Sequence, residues 1–370
     1  MNKRFIPYFH GIPPGALRPV PRPQRVPAWL PQHRTTILPR ASQALYLAWG
    51  VMGLRKGHCF LCPAFTCNTV TRPLEKAGGR PVFFNVHRDM TADWDHLRSL
   101  LRGPHRPKAM VWYHYLGLPI EFDRVVDFCR ENGLLLIEDC AHALFSQHAG
   151  KPVGSSGDVA VFSIRKTLPV LHAGALVVNN RRFRRTITVP WRQPTPRQQA
   201  YLHAREAYLH RLHLQSLDRV TEVDRPFFRE ALRDTEKHYG NPAEFWPIDP
   251  LSWLVMHNAD PEGIRRTRRA NYRVYARHLE EIALVPRLPT GASPMGFPVR
   301  VQKREPLRQR LHILGIETVT HWWEPLLPHG VAKRFGEAVD LARTELTLPC
   351  HQDLSEQDVT YVCRCLKRLT

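Results

Sequence analysis

The sequence predicts an α/β fold: a large domain on a mostly parallel sheet, followed by a smaller α+β domain toward the C-terminus. Three observations predict it. Strand-like and helix-like stretches alternate between about residues 42 and 180. The run Leu134-Leu135-Leu136-Ile137-Glu138-Asp139 is apolar until it closes on two acids. A parallel strand buried on both faces reads this way when it delivers a side chain at its C-terminal end. Near residue 246 the pattern changes to a long helix, a short strand and further helices. The expected organisation is a proline-rich basic arm over 1–35, a large domain over 36–245 and a small domain over 246–370.

The elements follow from local pattern. Residues 42–54 read as a helix, with Leu45, Trp49 and Met52 at helical spacing. A strand is expected at 58–61, before Pro63, and a helix at 67–77, which Gly78-Gly79 ends despite Pro73. PVFFNV at 81–86 and AMVWY at 109–113 are strands, and a helix over 121–132 stops at Gly133. After the strand at 134–139 come two more, 158–164 and 175–180. A basic, histidine-rich helix is expected at 196–218; the spacing of His203, His210 and His213 fits a solvated face better than a metal site. The second domain offers a helix at 261–282, the strand GFPVRV at 296–301, a helix at 305–314 and a last helix at 355–368.

Composition narrows the function. The chain has 370 residues, 43% of them hydrophobic, and a formal charge of +20. Such a field attracts nucleic acid, anionic membrane or an anionic small molecule. The basic residues are scattered, apart from Arg181-Arg182-Phe183-Arg184-Arg185 and Arg265-Arg266-Thr267-Arg268-Arg269. No aromatic-interleaved nucleic-acid motif accompanies them. No apolar run is long enough to span a membrane, and residues 1–23 lack a secretory apolar stretch. The proline-rich arm is expected to lie extended over the surface or across a partner subunit. Eight cysteines are present; the Cys59/Cys62 pair has no second pair at zinc-ribbon spacing. Buried, reduced thiols in a cytoplasmic protein are the expectation.

In parallel sheets ligands sit beyond the carboxyl ends of the strands. Asp139 and the Ser163–Lys166 segment each follow such a strand and are placed to share one site. Taken alone, Asp139 serves equally as a helix N-cap, His142 as a satisfied core histidine, Ser163 as a strand-end hydroxyl and Lys166 as a solvated lysine. Tyr113, His114 and Tyr115 close another strand facing the same place, where core packing is an equal reading.

From about residue 36 onward the chain resembles the DegT/DnrJ/EryC1/StrS family of sugar aminotransferases. The resemblance rests on PRASQALYLA, CPAFTCNTV, EKAGGRPVFFNV, HYLGLP, LLLIEDCAHALFS, GKPVGSSGDVAVFSIRKTLPV, GALVVNN, RRANYR, GFPVRV and ELTLPCHQDLS. IEDCAHA followed by GDVAVFSIRK is the specific part, since order, spacing and residue types agree. The resemblance implies the type I fold of pyridoxal 5'-phosphate (PLP) enzymes, PLP as cofactor and a homodimer. It implies a small-molecule amino donor, glutamate or glutamine, and a keto-sugar acceptor, nucleotide-linked, in polysaccharide or natural-product biosynthesis. Lys166 would form the Schiff base (aldimine) and act as general base. Asp139 would pair with the pyridine nitrogen. His142 would lie against the ring, and Ser163 with Ala41 and Ser42 would hold the phosphate. Two other readings keep the fold: a PLP enzyme running elimination or using another carbonyl substrate, and a non-catalytic scaffold or regulator.

The pattern departs from the family at several points. Cys67 stands where an aromatic ring often stacks on the cofactor, leaving stacking to Phe65. The usual acidic-Gly-Gly turn reads His172-Ala173-Gly174, which puts His172 toward the substrate. The small-residue cradle reads Arg40-Ala41-Ser42, without its glycine. FWPIDPLSWLVMH occupies the region where a partner subunit's asparagine segment is expected. His321-Trp322-Trp323 is a candidate for substrate specificity, beside His114 and Tyr115.

Overall fold

In the computed structural model, residues 5–20, 26–32, 34–183, 187–216, 241–322, 327–328 and 330–370 are described. Arg184, Arg185, Trp323 and the side chain of His213 lie outside the described residues.

A seven-stranded sheet organises the large domain. Its strands in chain order are β1 (Thr35–Leu38), β2 (Cys59–Pro63), β3 (Arg80–Phe84), β4 (Ala109–Tyr113), β5 (Leu135–Asp139), β8 (Val159–Ser163) and β9 (Gly174–Val178). A two-residue hairpin, β6 (Gln147–His148) and β7 (Lys151–Pro152), precedes β8. The spatial order is β1-β9-β8-β5-β4-β2-β3. The pairs β3–β2, β2–β4, β4–β5 and β5–β8 are parallel, while β9 and β1 run antiparallel at one end. The buried apolar strands behave as their sequences imply: every residue of β2, β4, β8 and β9 is buried. Helices α1 (Ala41–Val51), α2 (Asn68–Lys76), α3 (Trp94–Arg102), α4 (Phe122–Glu131) and α5 (Pro196–Ser216) belong to this part of the chain. Phe84 and Trp112 stack within the core, with ring centroids 6.4 Å apart. Of these elements, β1, α3 and the short hairpin β6–β7 escaped the sequence reading. β1 is a four-residue edge strand, and α3 is announced by its cap, Asp93, whose carboxylate accepts the His96 N–H at 2.9 Å.

Register brings the strand ends together. Tyr113 pairs with Asp139, and Asp139 pairs with Val161, two residues before Ser163. Gly174 faces Ser163 on one side and Leu38 on the other. A Cβ on Gly174 would lie 2.5 Å from the Arg40 carbonyl carbon and 2.6 Å from the Ala41 nitrogen. Only glycine therefore lets α1 begin against the end of β8. Ala173, the methyl-bearing departure in this turn, is buried and is not among the positive-φ residues, so it fits without strain.

After α6 (Pro250–His257), the small domain contains α7 (Pro261–Leu279), β10 (Gly296–Arg300), α8 (Arg304–Ile313), α9 (Gly336–Thr344), β11 (Glu345–Pro349) and α10 (Glu356–Leu369). β10 and β11 form an antiparallel pair. Their inner side chains Phe297, Val299, Leu346 and Leu348 join Tyr272, Tyr275, Val359 and Val362 in one apolar cluster. Val255 and Met256 of α6, which lies beyond the expected boundary at 246, join Phe162, Val170 and Leu171 of the large domain in one apolar cluster.

The arm also differs from expectation. Ile6, Tyr8, His10, Ile12, Val26 and Leu30 are buried against the rest of the same chain. Part of the positive charge is internal too: Arg268 is buried and donates to Gln352 Oε1 at 2.9 Å and to the Pro294 carbonyl at 3.3 Å. The sequence showed the arm's prolines but not the partners of its aromatic and aliphatic residues, which lie far along the chain.

Gly174→Ala is expected to destabilise the protein by about 2–3 kcal/mol, because the Arg40–Ala41 peptide blocks the new methyl. Urea unfolding monitored by tryptophan fluorescence measures this; a change below about 0.5 kcal/mol would contradict the close approach described.

Candidate active site

A cavity opens beyond the carboxyl ends of β4, β5 and β8, lined from the large domain by Tyr113, His114, Tyr115, Asp139, His142, Ser163 and Lys166. The start of α1 adds Arg40, Ala41 and Ser42, and the start of α2 adds Cys67 and Thr69. Trp322 reaches in from the small domain. Nine of the ten residues singled out from sequence thus meet in one place.

Two consecutive acids do different work. Successive side chains of a strand point to opposite faces. Glu138 faces away from the cavity, where Oε1 accepts from His114 Nε2 at 3.0 Å and from the Gly154 N–H at 2.6 Å. Its Oε2 accepts the Ser156 and Gly157 N–H groups at 3.1 and 2.8 Å. Burial pushes this carboxyl up, but the hydrogen bonds and the His114 imidazole outweigh that and hold it below the usual 4.5. Glu138 therefore fixes the loop that feeds β8, and through β8 the position of Ser163 and Lys166. Cys140 lies within 4.8 Å of this pair, a spacing a metal would accept, but four donors already occupy the Glu138 oxygens. The sequence showed these two acids only as the end of a strand; the burial of the first and the donors around it were not visible.

Asp139 lines the cavity and is buried. Among the described residues its carboxylate accepts one hydrogen bond, from the Ala141 N–H at 2.9 Å, so it also caps the following turn. Burial raises its pKa; the Ala141 N–H and the Lys166 charge pull the other way. A desolvated carboxylate with one donor is matched to a cationic N–H presented from the cavity.

Lys166 Nζ lies 2.6 Å from His142 Nε2. Burial, then the Lys166 charge, then His321 push the His142 pKa well down, so the ring is neutral and Nε2 accepts from the ammonium. Ser163 is buried at the end of β8. Ala41 and Ser42, the first residues of α1, line the same cavity, and a helix N-terminus favours anions.

Aromatic side chains wall the cavity. Trp322 packs on His142 at 5.2 Å, Phe65 at 4.9 Å and Tyr115 at 5.3 Å between ring centroids. Phe65 is fully buried behind this layer, so the aromatic surface at the cavity comes from Trp322 rather than from Phe65. Tyr115 offers its ring and not its hydroxyl, which donates to the Phe65 carbonyl at 2.7 Å. Tyr113 Oη is engaged by Thr66 Oγ1 at 2.7 Å. Cys67 Sγ lies 2.6 Å from Thr69 Oγ1 at the rim.

His172 is the exception to the convergence. It is fully buried behind the turn, with Nδ1 accepting from Trp246 Nε1 at 3.4 Å and Nε2 3.5 Å from Asp249 Oδ2. It does not line the cavity and lies apart from the other residues singled out from sequence. Burial lowers its pKa to about 4 against the pull of Asp249. The departure from an acid is thus absorbed by packing with α6 and its cap. Arg40, Thr69 and Arg165 line the cavity without a role in the sequence reading, where Arg40 is marked only by the missing glycine; Trp322 was named there only for specificity.

The remaining thiols are mostly internal. All eight cysteines are free, and seven are buried. Among the described residues no helix is long and apolar enough to cross a membrane.

Residues 32–213 and 259–367 match the model of the DegT/DnrJ/EryC1/StrS aminotransferase family. A GDP-perosamine synthase from Vibrio cholerae is 31% identical over 153 residues, which is 40% of this chain and 41% of that protein. A UDP-4-amino-4,6-dideoxy-N-acetyl-beta-L-altrosamine transaminase from Campylobacter jejuni is 24% identical over 335 residues, covering 88% of this chain and 82% of that one. The matches to the first two curated relatives thus span about two fifths of their lengths. A sugar aminotransferase of Streptococcus pneumoniae, solved in its PLP form, superposes with a TM-score of 0.65 at 20% identity, covering 90% of this chain and 86% of that chain.

Glu138→Gln is expected to cost about 3 kcal/mol, since the new amide NH2 faces backbone N–H donors. Glu138 has a depressed folded pKa, so its contribution is complete above the unfolded value of 4.5 and fades as pH falls below it. The stability gap between parent and variant, read from urea unfolding at pH 7 and pH 4, should narrow on acidification. A gap that widens would contradict the charge assignment.

Proposed function

The chain belongs to the DegT/DnrJ/EryC1/StrS aminotransferase family, and from that premise we propose that it transfers an amino group from glutamate or glutamine to a keto-sugar carried on a nucleotide. The observation that carries the reading is the meeting of Lys166, His142 and Asp139 in one cavity, with Lys166 Nζ 2.6 Å from His142 Nε2. The family's cofactor is pyridoxal phosphate, and the residues present fit it. Asp139 is a buried acid open to a cationic ring nitrogen. The N–H groups of α1, with Ser42 and Ser163, suit a phosphate. His142 and Trp322 supply flat surfaces between.

When bound, pyridoxal phosphate supplies an electron sink that lets a proton leave a carbon next to nitrogen. The chain's own groups do the rest. Asp139 would face the cofactor's ring nitrogen and favour a proton there, and its desolvation would strengthen that attraction. Lys166 would hold the cofactor through Nζ, and the same amine is placed to take up and return a proton in the cavity. Neutral His142 accepts a hydrogen bond from Nζ and keeps the amine oriented. Trp322, Phe65 and Tyr115 keep water from the reacting carbon.

The nucleotide-linked keto-sugar is supported by the names of the relatives, which act on GDP- and UDP-linked sugars. A basic chain of +20 also attracts a nucleotide diphosphate. We propose a homodimer, a cytoplasmic location and a place in polysaccharide or natural-product biosynthesis as further parts of the same reading.

Purified protein should take up pyridoxal phosphate with a visible absorbance band that Lys166→Ala abolishes. Asp139→Asn should weaken uptake at least tenfold, the loss of one desolvated charge contact. Adding L-glutamate or L-glutamine should bleach the band. A protein that takes up no cofactor would sink the proposal, and a band that no amino donor bleaches would favour a different reaction on the same cofactor.

A further inference from the structure

The buried arm carries one polar side chain into the surroundings of the site. Ile6 pairs with Ile316: its N–H donates to the Gly315 carbonyl, and its carbonyl accepts the Glu317 N–H, both at 2.9 Å. His351 Nε2 lies 3.0 Å from the Pro7 carbonyl, and the Tyr8 N–H donates to Glu317 Oε2 at 3.2 Å. Two residues on, His10 Nε2 meets the carbonyl of Thr167, the neighbour of Lys166, at 2.6 Å. The arm is therefore fastened at both ends, to the small domain and to the lysine turn.

Tyr8 stands between these anchors in a slot shaped for it. Gly296 at the start of β10 makes the room: a Cβ there would lie 2.8 Å from Tyr8 Oη and 2.1 Å from Thr347 Cγ2. The phenol is buried, and Oη lies 2.9 Å from His321 Nε2. Among the described residues Oη has no other acceptor, so the O–H donates to Nε2 and the ring proton resides on Nδ1. Burial keeps the phenol protonated, and burial with the Lys166 charge keeps His321 neutral, which agrees with this assignment. His321 in turn stands 5.0 Å from the His142 ring and 5.4 Å from Trp322. Among the described residues Nδ1 of His321 has no hydrogen-bond partner.

We infer that Tyr8 is a positioning residue that fixes the tautomer and orientation of His321, and that the His321 Nδ1–H donates to an oxygen of the substrate held beside Lys166. The ligand chemistry is an oxygen acceptor: a carboxylate of the amino donor, then a hydroxyl or carbonyl of the sugar. The sequence flagged His321 for specificity but gave no link to residue 8. The inference rests on the aminotransferase reading above.

The test uses full-length protein loaded with pyridoxal phosphate and follows bleaching of its band by L-glutamate and by L-glutamine. Tyr8→Phe and His321→Ala should each raise the half-saturating donor concentration about tenfold, the worth of one hydrogen bond to a charged group, with the maximal rate changed less than about threefold. The double variant should be no worse than His321→Ala, because the two residues act as one unit. His321→Asn, which keeps an N–H near the Nδ1 position, should recover most of the loss. Gly296→Ala, which disturbs Tyr8 without removing it, should reproduce Tyr8→Phe. Unchanged half-saturation in Tyr8→Phe, or effects that multiply in the double variant, would overturn the inference alone. A parent that takes up no cofactor, or that neither donor bleaches, would overturn the functional reading and this inference with it.

Discussion

Everything at the site depends on two adjacent carboxylates at the end of β5 being kept charged in opposite ways. Strand alternation sends Glu138 and Asp139 to opposite faces. Glu138 is saturated by His114 and three backbone N–H groups, and so behaves as a structural anchor. Asp139 is desolvated and under-donated, and so behaves as a receptor for a cation. If both were saturated there would be no binding site; if neither were, β5 could not end inside the protein. The first acid sets the loop before β8, β8 sets Lys166, and the second acid sets where a cationic ring can lie.

Much of this was legible in the sequence, for physical reasons that can be named. β5 and β8 announce themselves because strands buried on both faces need unbroken apolar runs, and their polar termini then stand out. The central helices follow from periodicity and from the glycines that end them. Asp139, His142, Ser163 and Lys166 lie at or just after those strand ends, but spacing alone left each a plain structural reading, and the resemblance carried by IEDCAHA and GDVAVFSIRK singled them out. His172 was misplaced because the same turn offers two sides, and which side a residue faces depends on Trp246 and Asp249, far along the chain. The edge strand β1, the helix α6 and the burial of the arm were hidden for the same reason: each is defined by distant partners rather than by its own pattern.

Where the chain departs from its family, neighbouring residues take up the change. Cys67 gives up a ring at one rim, and Trp322 brings one in from the small domain. His172 replaces an acid, and an acid from the cap of α6 moves beside it. Ala173 adds a methyl one position before the glycine that must remain bare.

The arm has a consequence for the order in which the molecule is made. Tyr8 meets Glu317 and His321 across 309 and 313 residues, and Pro7 meets His351 across 344. Contacts of such sequence separation close late, because the intervening loop must first be ordered. During synthesis residues 6–10 emerge long before any of these partners exist, and the large domain can collapse without them. The small domain is then sealed by a segment made well before it. His321 acquires its tyrosine only at that last step, after the sheet has formed.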